Sequence, residues 1–349
     1  MKKSILTLIA VLAALVPSTI SAQGIGFEVD GIIYYNYSGM DVLIESHSDD
    51  CSGDLIIPET VVFDGRTYNV TTIGVMAFFY CSELTSVVIP NSVTTIESHA
   101  FDGCSGLANI NIPNSVISIG EAAFAHCSCI NSIRVEDGNP NFDSRNGCNA
   151  IIETGSNTLI AGCMNTVIPR TVTSIGDYTF FGSTALTSIS IPNSVTSIGN
   201  GAFQDCKGLT SIDIPNSVTS IGNSAFYDCR GLTSIVCFAK TPPSTGDEVF
   251  YTWSSPDIYD NATLFVPNES LEAYQSHEEW GKFLHIVPFL GAGPGDINGD
   301  GNIAINDVTN LIDQLLSSDE LPAYADVNGD GVVTIKDVTD LIDMLLGGN

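Results

Sequence analysis

The sequence predicts a solenoid of stacked β coils followed by a small all-α module with two acidic loops, and three observations predict it. The first is a period of 23 residues. LTSISIPNSVTSIGNGAFQDCKG at 186–208 is followed directly by LTSIDIPNSVTSIGNSAFYDCRG at 209–231, and LTSVVIPNSVTTIESHAFDGCSG at 84–106 by LANINIPNSVISIGEAAFAHCSC at 107–129. The second is the apolar spacing within a period, which alternates as in a strand and lacks helical periodicity. The third is a duplicated twelve-residue acidic loop near the C-terminus, each copy followed by an amphipathic stretch. A fixed period of this length is the signature of a repeat architecture.

Within one coil, Leu186, Ile189 and Ile191 form an L-x-x-I-x-I-P strand whose last residues alternate in and out. Pro192-Asn193 ends it, because proline has no N–H for a ladder and asparagine accepts turn dihedrals. A second apolar set follows at Val195, Ile198, Ala202 and Phe203; its A-F-x-x-C run predicts a short helical turn, and Gly208 closes the coil. Ordering a backbone costs roughly 1–2 kcal/mol per residue, more than one coil's few buried side chains return. Neighbours must therefore stack and share their faces.

These residues resemble the BspA-like (treponemal-type) leucine-rich repeats of bacterial surface proteins. The shared pattern is I-P-x-S-V-T-S-I-G-x-x-A-F-x-x-C, with Pro90, Pro113, Pro169, Pro192 and Pro215 in one column and Phe78, Phe101, Phe124, Phe180, Phe203 and Phe226 in another. The resemblance implies a leucine-rich-repeat arc with a parallel sheet on its concave face, here over residues 71–236.

Residues 1–22 read as a secretory signal peptide: Lys2 and Lys3, an apolar core, then STISA with cleavage after Ala22. That core is too short to span a membrane comfortably, no other stretch is apolar enough, and no cysteine follows the cut to carry a lipid. A secreted or cell-surface protein is expected. Residues 23–70 lack the repeat. GFEVDGIIYYNY, DVLIES and DLIIPETVVFDGRTYNV predict strands that cap the first coil. The formal charge of −29 argues against nucleic acid and anionic membranes as partners and favours cations.

Cys81, Cys104, Cys127, Cys206 and Cys229 share one repeat position, three residues after the column phenylalanine, and Ser183 fills the same slot. Equivalent side chains in stacked coils point in parallel, so these are expected as buried free thiols. Cys148 and Cys163 lie outside the column and are the candidate pair, while Cys51, Cys129 and Cys237 are left unassigned. The register breaks over 130–165: from Phe124 to Phe180 is 56 residues, two periods plus ten. There INSIRV starts a strand, and N-A-I-I-E and N-T-L-I-A predict a hairpin bulging from the array. Inserts of this kind are loops where partners often touch, or merely long coils.

Residues 237–290 leave the array at Pro242-Pro243 and resemble the closing module of such repeats. A helix is expected over NESLEAYQSHEEWGKF, starting at Asn268 or Ser270, with Trp253 and Trp280 in the core or cap, the alternative being an aromatic glycan platform. GAGPG at 291–295 is a linker.

The last segment, 296–349, carries the ligand chemistry. DINGDGNIAIND at 296–307 and DVNGDGVVTIKD at 326–337 both fit D-x-N-x-D-G-x5-D. A hard cation takes six to eight oxygens, and a tight loop offers them from positions 1, 3, 5, 7, 9 and 12. Two Ca2+ sites are expected. The first uses Asp296, Asn298, Asp300, the Asn302 carbonyl, a water near Ala304, and Asp307. The second uses Asp326, Asn328, Asp330, the Val332 carbonyl, Thr334 and Asp337. With a helix after each loop and Asp at position 12, the segment resembles a type I dockerin. That implies a cohesin partner, although Ile305-Asn306 and Ile335-Lys336 replace the usual Ser-Thr pair.

H-E-x-x-H, G-x-S-x-G, P-loop and C-x-x-C signatures are absent, and the histidines at 47, 99, 126, 277 and 285 are scattered, with His99 and His126 at positions expected to be exposed. The expectation is a non-catalytic exported binding or adhesion protein whose repeat face takes a protein or glycan and whose tail tethers it. The alternative is an accessory subunit of a cohesin–dockerin polysaccharide-degrading assembly. The candidate face is the exposed strand column Val88, Asn111, Ser190, Asp213 and Val236, flanked by Thr85, Thr187 and Thr210. These side chains are small, without the Trp, Tyr or Arg anchors of hot spots.

Overall fold

The structure is a computed structural model that describes residues 24–47, 51–253, 257–289, 295, 305–317, 325–328 and 332–346. The segment expected to be a signal peptide, most of the expected linker and most of the loop 296–307 lie outside the described residues.

The chain opens with an antiparallel meander, β1 (Ile25–Val29), β2 (Ile32–Ser38) and β3 (Asp41–His47). It continues through β4 (Ser52–Ile56) into the hairpin β5 (Thr60–Phe63) and β6 (Arg66–Ile73). The alternation of G-F-E-V and V-V-F brings Phe27 against Phe63 with rings 4.3 Å apart and almost parallel. These strands adjoin the first coil: β3 pairs in parallel with β6, which continues into the coils.

Each coil then contributes to two parallel sheets. β7 (Glu83–Val88), β9 (Asn109–Ile112) and β11 (Ser132–Val135) are concave-face strands, with β4 paired to β7 and β9 to β11. β8 (Thr95–Ile96) and β10 (Ser118–Ile119) are two-residue strands of the second sheet, continuing from β6. Between the two, I-P-x-S-V makes a tight turn in which the Val93 and Val195 amides donate to the Pro90 and Pro192 carbonyls at 3.1 and 3.0 Å.

The insert supplies β12 (Phe142–Asp143), β13 (Ala150–Glu153) and β14 (Thr158–Gly162). The hairpin β13–β14 forms as expected, yet it does not bulge. β14 pairs in parallel with β15 (Ser174–Ile175), so the hairpin opens a new sheet on this side of the array, separate from the one that ends at β10. Both of its faces are apolar. Ile151 and Ala161 pack into the N-terminal core, and Ala150, Ile152 and Leu159 into the C-terminal one. A strand that is apolar on both faces is buried on both. Gly162 has a steric role, since a Cβ there would sit 2.1 Å from the Phe180 ring.

Beyond the insert, β16 (Ser197–Ile198), β18 (Ser220–Ile221) and β20 (Ser244–Thr245) extend the sheet that the hairpin opens. β17 (Ser211–Ile214) and β19 (Ser234–Cys237) resume the concave one. The strand expected over Leu186–Ile191 does not form, although both residues are buried. The preceding coil offers it only 165–169, which is itself outside any ladder.

The third side of the coil is not helical. Its N–H groups are divided between tight turns and the next coil: Phe78, Phe101, Phe180 and Phe203 each donate to the carbonyl of the following coil's alanine at 2.8 Å. Two residues per turn take left-handed dihedrals, for example Met76 and Tyr80 (φ 57° and 59°). That geometry sets the phenylalanine rings face to face, at 5.2 Å for Phe78–Phe101 and 5.1 Å for both Phe180–Phe203 and Phe203–Phe226, with interplanar angles of 11° or less. Phe250 adds a further ring at 5.3 Å from Phe226.

The column cysteines behave as expected where they lie between coils. Cys104, Cys127, Cys206 and Cys229 are buried free thiols, each donating to the Phe carbonyl of the preceding coil at 2.9 to 3.2 Å. Two expectations are corrected. Cys81 is disulfide-bonded to Cys51, because its neighbour belongs to the cap and need not point in parallel. Cys148 and Cys163 are both free: their thiols turn to the Ala150 and Asn149 carbonyls instead of to each other.

The C-terminal closing segment contains α1 (Ile258–Asn261), β21 (Thr263–Pro267), α2 (Leu271–Ser276) and β22 (His285–Phe289). β21 and β22 add two parallel strands to β19. The helix is shorter than expected, with 3-10 turns at 268–270 and 280–282, and Ser270 makes no side-chain cap. Trp280 is fully buried and donates to the Pro243 carbonyl at 3.1 Å, ending the aromatic column against Phe250. Trp253 is 75% exposed; it occupies the cysteine slot of the last coil, where an indole cannot enter. The described part of the tail pairs α3 (Ile305–Ser317) with α4 (Ile335–Leu345) around Val308, Leu311, Val338 and Leu341. Among the described residues no helix is long and apolar enough to cross a membrane.

Phe203→Ala is expected to cost about 3–5 kcal/mol, and Gly162→Ala about 1–3 kcal/mol through overpacking. Cys206→Ser, which keeps a donor toward Phe180, should stay within about 1 kcal/mol. Urea denaturation midpoints of the three variants check the order.

Candidate functional site

The concave sheet sets its outward side chains in one column, because strands in parallel register stack equivalent residues. Val88 stands in register with Ile56, and Asn111 with Arg134. Asp213 stands in register with Val236, and Val236 with Phe265. Val88, Asn111 and Asp213 are exposed, whereas Ser190 and Val236 are half-buried and Ser190 lies outside any strand. The structure thus brings four of the five expected residues onto strands.

Parts of this face are already engaged. Asp54 accepts from the Thr85 and Ser86 hydroxyls at 3.1 and 2.6 Å. The Ser86 bond chiefly, with Thr85 second, holds the exposed Asp54 carboxyl below its usual range. Asn111 donates to Glu136 at 3.1 Å, and the Thr210 and Thr233 hydroxyls donate to the Thr187 and Thr210 carbonyls. The threonines therefore serve the array itself. Sequence reading missed Arg134 on this face. The signal was available, since INSIRV aligns with LANINI and puts Arg134 beneath Asn111.

The turn edge carries a charge network that scattered histidines did not suggest. His99 and His126 are half-buried, not exposed, and both turn Nδ1 to the buried Asp102 carboxylate, at 2.9 and 2.8 Å. His126 Nε2 lies 4.0 Å from Asp205, which pairs with Lys207 at 2.9 Å; Asp228 in turn accepts from Arg230 at 2.7 Å. The bond to Asp102 chiefly, then that to Asp205, pushes the His126 imidazole up to about 9 against the opposing effect of burial. His126, with Lys207 behind it, holds Asp205 well below the usual carboxylate range. The His126 amide also donates to the Phe181 carbonyl at 2.9 Å, so the coil before the insert is joined directly to the coil after it. This arrangement is electrostatic stapling across a break.

In the tail, Asp307 is described while Asp296, Asn298, Asp300 and Asn302 lie outside the described residues, as does Asp330. Asp307 and Asp337 are both fully buried at the start of their helices. Asp337 accepts from the Thr334 amide at 2.7 Å and the Asn328 amide at 3.3 Å, so position 12 is folded back onto positions 3 and 9 of its loop. The Thr334 hydroxyl caps α4 by accepting from the Lys336 amide at 3.2 Å. Asp326 and Asn328 are half-buried and Val332 is exposed. A carboxylate with no exposed surface at the end of a loop of hard oxygen donors fits a hard divalent cation.

Comparison with known proteins follows this division. The family described as BspA type leucine rich repeat region matches residues 65–150 and 160–264 in six copies, and the dockerin type I domain matches 294–346. No curated protein matches the chain. Among solved structures, the chain is similar to a leucine rich cell surface protein from Faecalibacterium prausnitzii A2-165, at 19% identity over 68% of this chain and 97% of that one, with a TM-score of 0.37. It is also similar to a T. pallidum leucine rich repeat protein, at 26% identity over 67% and 88%, TM-score 0.36. A leucine-rich repeat protein from Eubacterium ventriosum shows 20% identity over 77% and 87%, TM-score 0.42.

A histidine raised in the folded state stabilises fully below its unfolded value of about 6.5, and the contribution is lost as pH rises through the folded value. The gap in melting temperature between wild type and His126→Gln should therefore be largest at about pH 6 and close as pH passes about 9.

Proposed function

Because the chain belongs to the BspA-type leucine-rich-repeat family and ends in a type I dockerin domain, we propose that it is an exported, non-catalytic binding protein with two working parts. Its concave face recognises a protein or glycan, and its tail tethers it to a cohesin-type module in a calcium-dependent way. The observation that carries this reading is the joining of the two matched regions in one chain: a rigid array with an outward column, and a module whose matched family is defined by docking.

Calcium would be held by Asp296, Asn298, Asp300, Asn302 and Asp307 in one loop and by Asp326, Asn328, Asp330, Val332, Thr334 and Asp337 in the other. The bound ion supplies the charge that lets these acids share a small volume. The chain's own contribution is to bury Asp307 and Asp337 at the starts of their helices, to turn Asp337 back onto its loop, and to gather Leu311 and Leu341 in one core. The signal peptide at 1–22 supports export to the surface or medium. The dockerin match also supports a second reading, in which the chain is an accessory, non-catalytic subunit of a polysaccharide-degrading assembly.

Calorimetric titration of the full chain should show two calcium sites per molecule. Asp296→Ala with Asp326→Ala should abolish both, together with capture by an immobilised type I cohesin. Cohesin capture that persists in excess EGTA would sink the calcium-dependent tether. Selective retention on an insoluble polysaccharide, alongside cohesin capture, would favour the second reading over adhesion.

A further inference from the structure

The concave face is not uniform, and its N-terminal half has a feature that its C-terminal half lacks. Four adjacent strands carry Ile56, Val88, Asn111 and Arg134 in line. Ile56 and Val88 are in register, as are Asn111 and Arg134, and β7 and β9 are joined by the Ala108 amide donating to the Thr85 carbonyl at 3.2 Å. Ile56 is 72% exposed and Val88 54%. Two β-branched apolar side chains thus stand open beside an amide and a guanidinium.

Arg134 is exposed, and its side chain makes no hydrogen bond or ion pair among the described residues. Other arginines of this acidic chain are engaged: Arg145 by Asp143 at 2.7 Å and Arg230 by Asp228 at 2.7 Å. The acid nearest along β11 does not neutralise it, since Glu136 instead accepts from the Asn111 side chain at 3.1 Å and the Asn114 amide at 3.2 Å. Arg134 also borders a cleft of about 320 Å³ with Ser132, Asp137, Ser144, Gly147 and Asn149. The cleft exists because the insert interrupts the sheet: β11 pairs with β9 alone, and on its other side the Val135 amide donates to Ser144 instead of to a strand.

We propose that this half of the concave face binds an extended acidic peptide segment of a partner protein, with a carboxylate paired to Arg134 and an apolar side chain over Ile56 and Val88. The inference rests on the reading of the concave face as the binding face. A guanidinium presents a fixed fork of donors that matches a carboxylate. Strands spaced about 4.8 Å apart put Arg134 roughly 12 Å from the midpoint of Ile56 and Val88, which is close to the ~13 Å between residues four apart in an extended chain. A uronic-acid polymer also carries carboxylates, but sugar rings pack on flat aromatic faces, and this strip has only branched aliphatic ones.

The test uses the full chain and a fluorescein-labelled, otherwise uncharged peptide with Val and Glu four residues apart, followed by fluorescence anisotropy. Saturable binding is expected, weakened at least fivefold by Arg134→Ala and by Val88→Asp but unchanged by Arg66→Ala, and lost when the peptide's Glu is replaced by Gln. Binding that is insensitive to Arg134→Ala, or equal for the Gln peptide, overturns the inference. So does the absence of saturation at ~1 mM peptide, or Arg134-dependent binding of a galacturonate oligomer in place of the peptide. Insensitivity to Arg134→Ala with retained sensitivity to Val88→Asp would leave the concave face as the binding face, so the two readings fail separately.

Discussion

Everything in the array depends on where the turn side sends its backbone N–H groups. In a helix they would be consumed within the segment. Here every second one reaches the next coil, and left-handed dihedrals at two positions per turn make that possible. The consequence is a fixed spacing of about 5 Å between equivalent residues, close to the strand spacing on the other two sides. Only because the three sides agree can the phenylalanines stack flat, the thiols reach the Phe carbonyls of the preceding coil, and the concave residues stand in register. The ring stack and the thiol column follow from this backbone arrangement.

That dependence explains what was legible in the sequence. A 23-residue period with two apolar sets dictates stacked coils, the strands of the cap follow from their alternation, and the hairpin of the insert follows from two short apolar runs joined by a turn. The helical turn expected from A-F-x-x-C is the informative failure. Local pattern cannot distinguish N–H groups turned inward along a helix from those handed to a neighbour, since the difference lies in another coil. The same reasoning applies to Cys81. Its column position argued for a free thiol, but its partner Cys51 sits in a cap with no repeat to announce its direction.

The hairpin of the insert was legible as a hairpin but not in its placement. Ala150, Ile151 and Ile152 form an unbroken apolar run, which marks a strand buried on both faces; reading the segment as a bulge ignored that run. The candidate sites divide likewise. The acids of the tail were readable because the same spacing recurs in two twelve-residue loops, and Asp307 and Asp337, the last acid of each, are both buried. Arg134 and the link from Asp102 to His126 were not read, because each matters through a residue 23 or 24 positions away that stacking brings near.

The hairpin also partitions the array. Ile151 belongs to one hydrophobic compartment and Ile152 to another, so the wall between them is a single sheet two strands thick. On the far side of that wall lie the two nearly identical copies 186–208 and 209–231. Slippage or recombination between their coding segments would add or delete a whole coil there, in register, while the cap, its disulfide and the Arg134 cleft stayed as they are.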